Sequence, residues 1–244
     1  MENYGLTSVS TFLRDMLVYR NLKPMDARLP AFEQIAPCLG IGQGDGPTTP
    51  RKTEPDYARV IVYLLRYART LTGGKEAVKR LIYVGDTQLN DGTAFANLCA
   101  AGGWPGAAFI GSETSEPAAA KIVDGGSGSL YLANRWTMLE DFEAYCAAKA
   151  FPLDVHTAVV LDLDKTTLGA RGRNDHVINE ARVTAVRETV ADMLGDSFDA
   201  ERFRTAYDRL NQTEFHPFTT DNQDYLAYLC LIIGSGLHSL STVV

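Results

Sequence analysis

Asp162 and Asp164 stand one residue apart directly after the apolar run Ala158-Val159-Val160-Leu161, and Thr166 and Thr167 follow them. Four consecutive apolar residues predict a buried strand, which puts both carboxylates just beyond its carboxyl end with their side chains pointing the same way. Carboxylates sharing a small volume repel, and a hard cation with oxygen ligands, Mg²⁺ above all, relieves that repulsion. The same pattern occurs upstream, where Arg80-Leu81-Ile82-Tyr83-Val84-Gly85 ends in Asp86 and Asp91 follows shortly after. Two acidic strand ends in the crevice of an open α/β sheet predict one shared metal site.

Asp162-Leu163-Asp164-Lys165-Thr166 resembles the first motif, D-x-D-x-T, of the haloacid dehalogenase-like hydrolases, and Gly85-Asp86 through Asp91 resembles their fourth, G-D-x-x-x-x-D. Lys52-Thr53-Glu54-Pro55-Asp56-Tyr57 is similar to the K-P-x-P segment that carries the family's essential lysine. Members are mostly Mg²⁺-dependent phosphatases and phosphotransferases. The order differs from the usual one, because here the lysine and the fourth motif precede the first. The chain therefore resembles a circular permutation of the family.

The resemblance implies roles for these residues. Asp162 is the nucleophile that forms an aspartyl-phosphate. Asp164 is the acid that protonates the leaving oxygen and then activates water. Mg²⁺ is held by the Asp162 carboxylate, the main-chain carbonyl of Asp164 and Asp86, with Asp91 a direct or outer ligand. Lys52 offsets charge and places the nucleophile, while Thr166 orients the loop and Lys165 points away. The family's dehalogenases lack an acid at the position of Asp164, so its presence favours phosphoryl transfer. The family's second motif, a phosphate-binding Ser or Thr, is expected near the chain ends, at Thr7 or Ser8 or else at Ser241 or Thr242.

Blander readings stand beside these. Short acidic patterns after apolar runs also serve as turn initiators and helix caps, and Asp91 could cap a helix beginning near Thr93. Arg171 and Arg173, with His176, either bind substrate or belong to a solvated loop. The glycine-rich stretch from Gly40 to Pro47 has neither a P-loop ending nor a dinucleotide fingerprint and reads as a connection to Lys52.

Alternating patterns predict the elements that position the site. Helices are expected at 9–20, 57–68, 93–100 and 137–149, and strands at 81–85, 107–110, 129–133 and 157–161; 34–41 reads as a short strand. Such alternation predicts a parallel, helix-covered Rossmann-like α/β sheet over 1–170, with 236–244 as a segment that could return to it. Helices at 178–194, 199–211 and 221–233 predict a helical cap over 171–235, a module that in the resembling family shields the site and selects substrate. Phe203, Tyr207, Tyr225 and Tyr228 are expected to pack its interior.

The 244 residues, 45% hydrophobic, suffice for one substantial core plus a small module. A net charge of -7 without a basic block argues against nucleic-acid binding. The four cysteines show no paired spacing, and each reads as a buried or partly buried free thiol in a reducing cytoplasm. No apolar run is long enough to cross a bilayer, and the amino terminus does not read as a signal peptide. A small phosphorylated metabolite is the expected substrate, and a homo-oligomer is compatible with the sequence. Two other readings remain open: a catalytically weak metal- or phosphate-binding module, and a piece of a larger protein of the same type.

Overall fold

The computed structural model describes residues 11, 17–42, 48–71, 73–74, 76–126, 128–215, 218 and 223–243. Thr7 and Ser8 lie outside the described residues, as does most of the segment read as helix 9–20. Its described end, residues 17–20, is not helical, and Val18 forms an antiparallel bridge with Pro24. The chain divides into two compact units, Met1–Arg173 and Asn174–Val244.

Among its described residues the first unit has five strands: β1 (Arg80–Gly85), β2 (Gly106–Gly111), β3 (Ala120–Gly125), β4 (Gly128–Ala133) and β5 (Thr157–Leu161). Their order across the sheet is β3-β4-β2-β1-β5. All neighbours run parallel except β3, which is antiparallel to β4. The fold class is thus α/β with a mostly parallel sheet. Helices α1 (Phe32–Leu39), α2 (Pro55–Leu71) and α3 (Asn90–Gly102) form one apolar core with Leu81, Tyr83, Ala108 and Ala158 of the sheet. Ile82, Phe109 and Tyr131 alternate to the other face and pack with Phe142 and Cys146 of α4 (Leu139–Ala148). Burial on both faces explains why β1 and β2 read as continuous apolar runs.

Residues 34–41, read as a strand, form helix α1. Phe32, Ile35, Ala36 and Leu39 recur at the helical period, and the Gln34 side chain accepts the Ala31 N–H at 2.9 Å, closing the first turn. Strand β3 fell in a segment read as polar loop, because all but one of its residues are exposed and it carries no apolar face to betray it. Lys121 and Asp124 keep that edge polar.

The second unit contains α5 (His176–Leu194), α6 (Ala200–Leu210), α7 (Gln223–Gly234) and the short α8 (Leu240–Val243). Asp199 caps α6, accepting from the N–H groups of Glu201 and Arg202. Val183, Phe203, Ala206, Tyr207, Leu210, Leu226, Cys230 and Ile233 make its core. Tyr225 and Tyr228 differ from expectation and are exposed, lying off the face that carries Leu226 and Cys230. Segment 236–243, considered above as a return to the sheet, belongs to this unit, where Leu240 and Val243 pack against its core.

No described helix is long and apolar enough to cross a membrane. Cys99, Cys146 and Cys230 are buried, and burial pushes their thiols up to about 12, about 11 and about 12; Cys38, unlike the expectation for the set, is exposed. Titration of the native protein with Ellman's reagent at pH 8 should therefore register one fast thiol, Cys38, and all four after denaturation. Separately, Phe203→Ala should lower the stability of the helical unit by about 3–5 kcal/mol, read by urea denaturation.

Candidate active site

Parallel pairing sets the site. Val84 of β1 aligns with Leu161 of β5, and the Asp162 N–H donates to the Val84 carbonyl at 2.9 Å. The carboxyl ends of the two strands therefore stop within one residue of each other, and Asp86 and Asp162 leave the sheet at the same edge.

Lys52 joins them from the turn before α2. Pro55 begins that helix with a preset φ, and Glu54 accepts the Arg51 N–H at 3.0 Å, which fixes the turn. The Lys52 ammonium donates to Asp162 Oδ1 at 2.5 Å and to Asp91 Oδ1. It also lies 5.9 Å from the centre of the Tyr83 ring. Burial works against its charge, but the Tyr83 oxygen and the Asp91 and Asp162 carboxylates outweigh this and hold Lys52 well above the ordinary lysine value.

Asp91, expected as a direct or outer metal ligand, has both carboxylate oxygens engaged by protein donors. Its side chain is 1% exposed. Oδ2 accepts from the Asp86 N–H at 3.0 Å, the Thr87 N–H at 2.8 Å and the Thr87 hydroxyl at 2.9 Å. Oδ1 accepts from Lys52 and, at 2.8 Å, from the Tyr83 hydroxyl. Five donors fill a carboxylate's roughly four lone-pair sites, leaving none for a cation. Burial alone would raise its pKa, but Lys52 and these hydrogen bonds hold it below the usual carboxylate range. Asp91 lies in the first turn of α3 yet turns back towards β1 as the anchor of Lys52. Gly85 makes this possible, since a β carbon there would lie 2.4 Å from Asp91 Cγ.

Asp162 carries the other half of the site. Thr166 donates to its Oδ2 at 3.1 Å, and the Thr167 hydroxyl to its carbonyl at 2.7 Å. Residues Leu163–Leu168 form a single π-type turn, a local geometry common at functional sites. Asp164 lies exposed on this turn, and its carbonyl accepts the Gly169 N–H at 2.9 Å. Burial together with the Asp91 and Asp162 charges raises Asp86 to about 7, against the opposing pull of Arg171 and Lys52. Arg171 pairs with Asp86, Nη1 to Oδ2 at 3.3 Å. Arg173 is exposed, with its charge felt at Glu113, which is bonded to Arg135 and Trp136.

Among the described residues no group of three or more His, Cys, Asp or Glu side chains is arranged to hold a metal ion. What remains is a smaller oxygen set: the carboxylates of Asp86 and Asp162 and the Asp164 carbonyl. Its hard-oxygen chemistry suits Mg²⁺, and the raised Asp86 marks negative charge that a cation would relieve. Ser241 and Thr242 lie on α8 of the helical unit, where Thr242 contacts Ser239 at 2.6 Å. Tyr83, Thr87 and Thr167 were missed in the sequence. Tyr83 had a signal, because a tyrosine inside a strand buried on both faces must find a partner for its hydroxyl.

Two stability experiments probe this network. Lys52→Met should cost about 3–5 kcal/mol by leaving Asp91 buried without its cation, and the Lys52→Met/Asp91→Asn double variant should lose less than the two single losses added. Gly85→Ala should cost about 1–3 kcal/mol in the same urea titrations by driving Asp91 off Lys52.

No protein-family model, no curated protein and no solved structure matches this chain.

Proposed function

We propose that the chain is a Mg²⁺-dependent phosphatase of haloacid dehalogenase-like type with permuted motif order, acting on a small phosphorylated metabolite. One observation carries the reading: Lys52 bridges Asp162, just past the end of β5, and Asp91, in the first turn of the helix that follows the adjacent parallel strand β1, residues 110 and 39 positions away. These are the residues that the three motifs single out, and chain order does not matter to strands that end side by side.

In this reading Asp162 attacks phosphorus with a carboxylate oxygen, while Lys52 and Thr166 fix the orientation of the group. The phosphorus–oxygen bond to the leaving group breaks as the aspartyl-phosphate forms, and Asp164 gives its proton to the departing oxygen. Asp164 then takes a proton from water, which attacks phosphorus and frees Asp162. Lys52 offsets the charge of the incoming phosphoryl oxygens, a task that Asp91 secures by holding its ammonium in place. Asp86, Asp162 and the Asp164 carbonyl would hold Mg²⁺, which supplies charge neutralisation at the phosphoryl group.

A second reading has its own observation. Among the described residues no strand pairs with the outer edge of β5, and Val159 and Leu161 are 45% and 52% exposed. An exposed strand edge of this kind suits pairing with a further strand, as in a binding module completed by another polypeptide.

Hydrolysis of an aryl phosphate separates the two. Wild type should release phosphate only with Mg²⁺, with Asp162→Asn and Lys52→Ala reduced by at least about a hundredfold at unchanged circular dichroism. Equal inactivity of folded wild type and Asp162→Asn would sink the enzyme reading and leave the binding module.

A further inference from the structure

Arg171 reaches Asp86 from an anchored backbone. Its N–H donates to the Lys165 carbonyl at 2.8 Å, and its carbonyl accepts the Glu113 N–H at 2.9 Å and the Trp136 indole N–H at 3.0 Å. The next residue, Gly172, has φ +76°, and a β carbon there would lie 2.2 Å from the Glu113 carbonyl oxygen. Only glycine fits that corner, so the segment leaving the π-type turn is pinned to the loop after β2. From this fixed base the guanidinium meets Asp86, whose side chain is 9% exposed.

Charge counting gives the contact its meaning. Three carboxylates, Asp86, Asp91 and Asp162, converge on the crevice. Lys52 donates to two of them, and the ion pair formed by Asp86 is with Arg171. A Mg²⁺ ion binds carboxylate oxygen at about 2.0–2.1 Å. At that range it would share one carboxylate with a guanidinium of like charge.

We propose that Arg171 is a built-in counter-ion that occupies Asp86 in the metal-free protein and competes with a divalent cation for that carboxylate. The inference rests on the metal-site reading given above and adds a control to it. Metal binding releases the guanidinium, whose planar donors suit phosphate oxygens, so the cation both completes the site and frees a group able to meet the substrate.

Calorimetric titration of the full chain with MgCl₂ tests this without requiring turnover. Arg171→Met should bind Mg²⁺ about tenfold more tightly than wild type, within the usual range of site-to-site coupling. Arg171→Lys, which keeps a charge on a shorter reach, should fall between them, and Asp86→Asn should bind none. Metal-free Arg171→Met should also melt below wild type and gain more from saturating Mg²⁺. Should Arg171→Met fail to fold, Arg171→Lys binding more tightly than wild type sustains the proposal. Equal or weaker binding by the Arg171 variants overturns it, while loss in Asp86→Asn would keep the metal site. Absence of Mg²⁺ binding in every protein overturns both.

Discussion

The Lys52 bridge between Asp91 and Asp162 is the constraint on which the site depends. Three carboxylates brought to one crevice cost several kcal/mol each in desolvation and repel one another, and the bridge makes the arrangement tolerable. The neighbouring features serve its geometry. Gly85 leaves space for Asp91 to fold under the strand end, Tyr83 fixes the Asp91 oxygen that Lys52 uses, and Pro55 starts α2 where the lysine reaches inward.

This arrangement depends on neighbouring strand ends and not on the order in which the strands are made. β5 comes last in the described sheet's sequence order yet lies beside β1, so residues of the first and last of these strands meet as though adjacent. Parallel pairing holds them level, because slipping the register by one residue would turn Ala158 and Val160 out of the core. Burial of Ala158 and Val160 in the core and placement of Asp162 beside the end of β1 are thus one requirement.

Much of this was legible in the sequence where a physical signal repeats. β1, β2, β4 and β5 announce themselves as short apolar runs, and α2 and α3 carry a buried stripe. β3 gave no signal because it buries no face, and α1 misled because its apolar residues are few and interrupted by Pro37. Within the site, the spacing of acidic residues marked Asp86, Asp91 and Asp162 but not their division of labour. That Asp91 turns towards Lys52 follows from five donors converging in three dimensions. The pairing of Arg171 with Asp86 joins residues 85 positions apart through a corner only Gly172 fits, and no local pattern encodes it.

The separation of Lys52 from Asp162 also bears on how the protein is made. Closing a flexible loop of 110 residues costs roughly 4 kcal/mol of chain entropy, whereas β1, α3 and β2 can associate across a short connection. Local pieces of the sheet can therefore assemble before β5 arrives, since distant contacts are rewarded only after their closure is met. A partly folded chain would have a hydrophobic sheet but no paired carboxylates and no bridging lysine. The acidic cluster is a property of the finished molecule alone, because it needs the pairing of β5 with β1, the one that spans the most sequence in the described sheet.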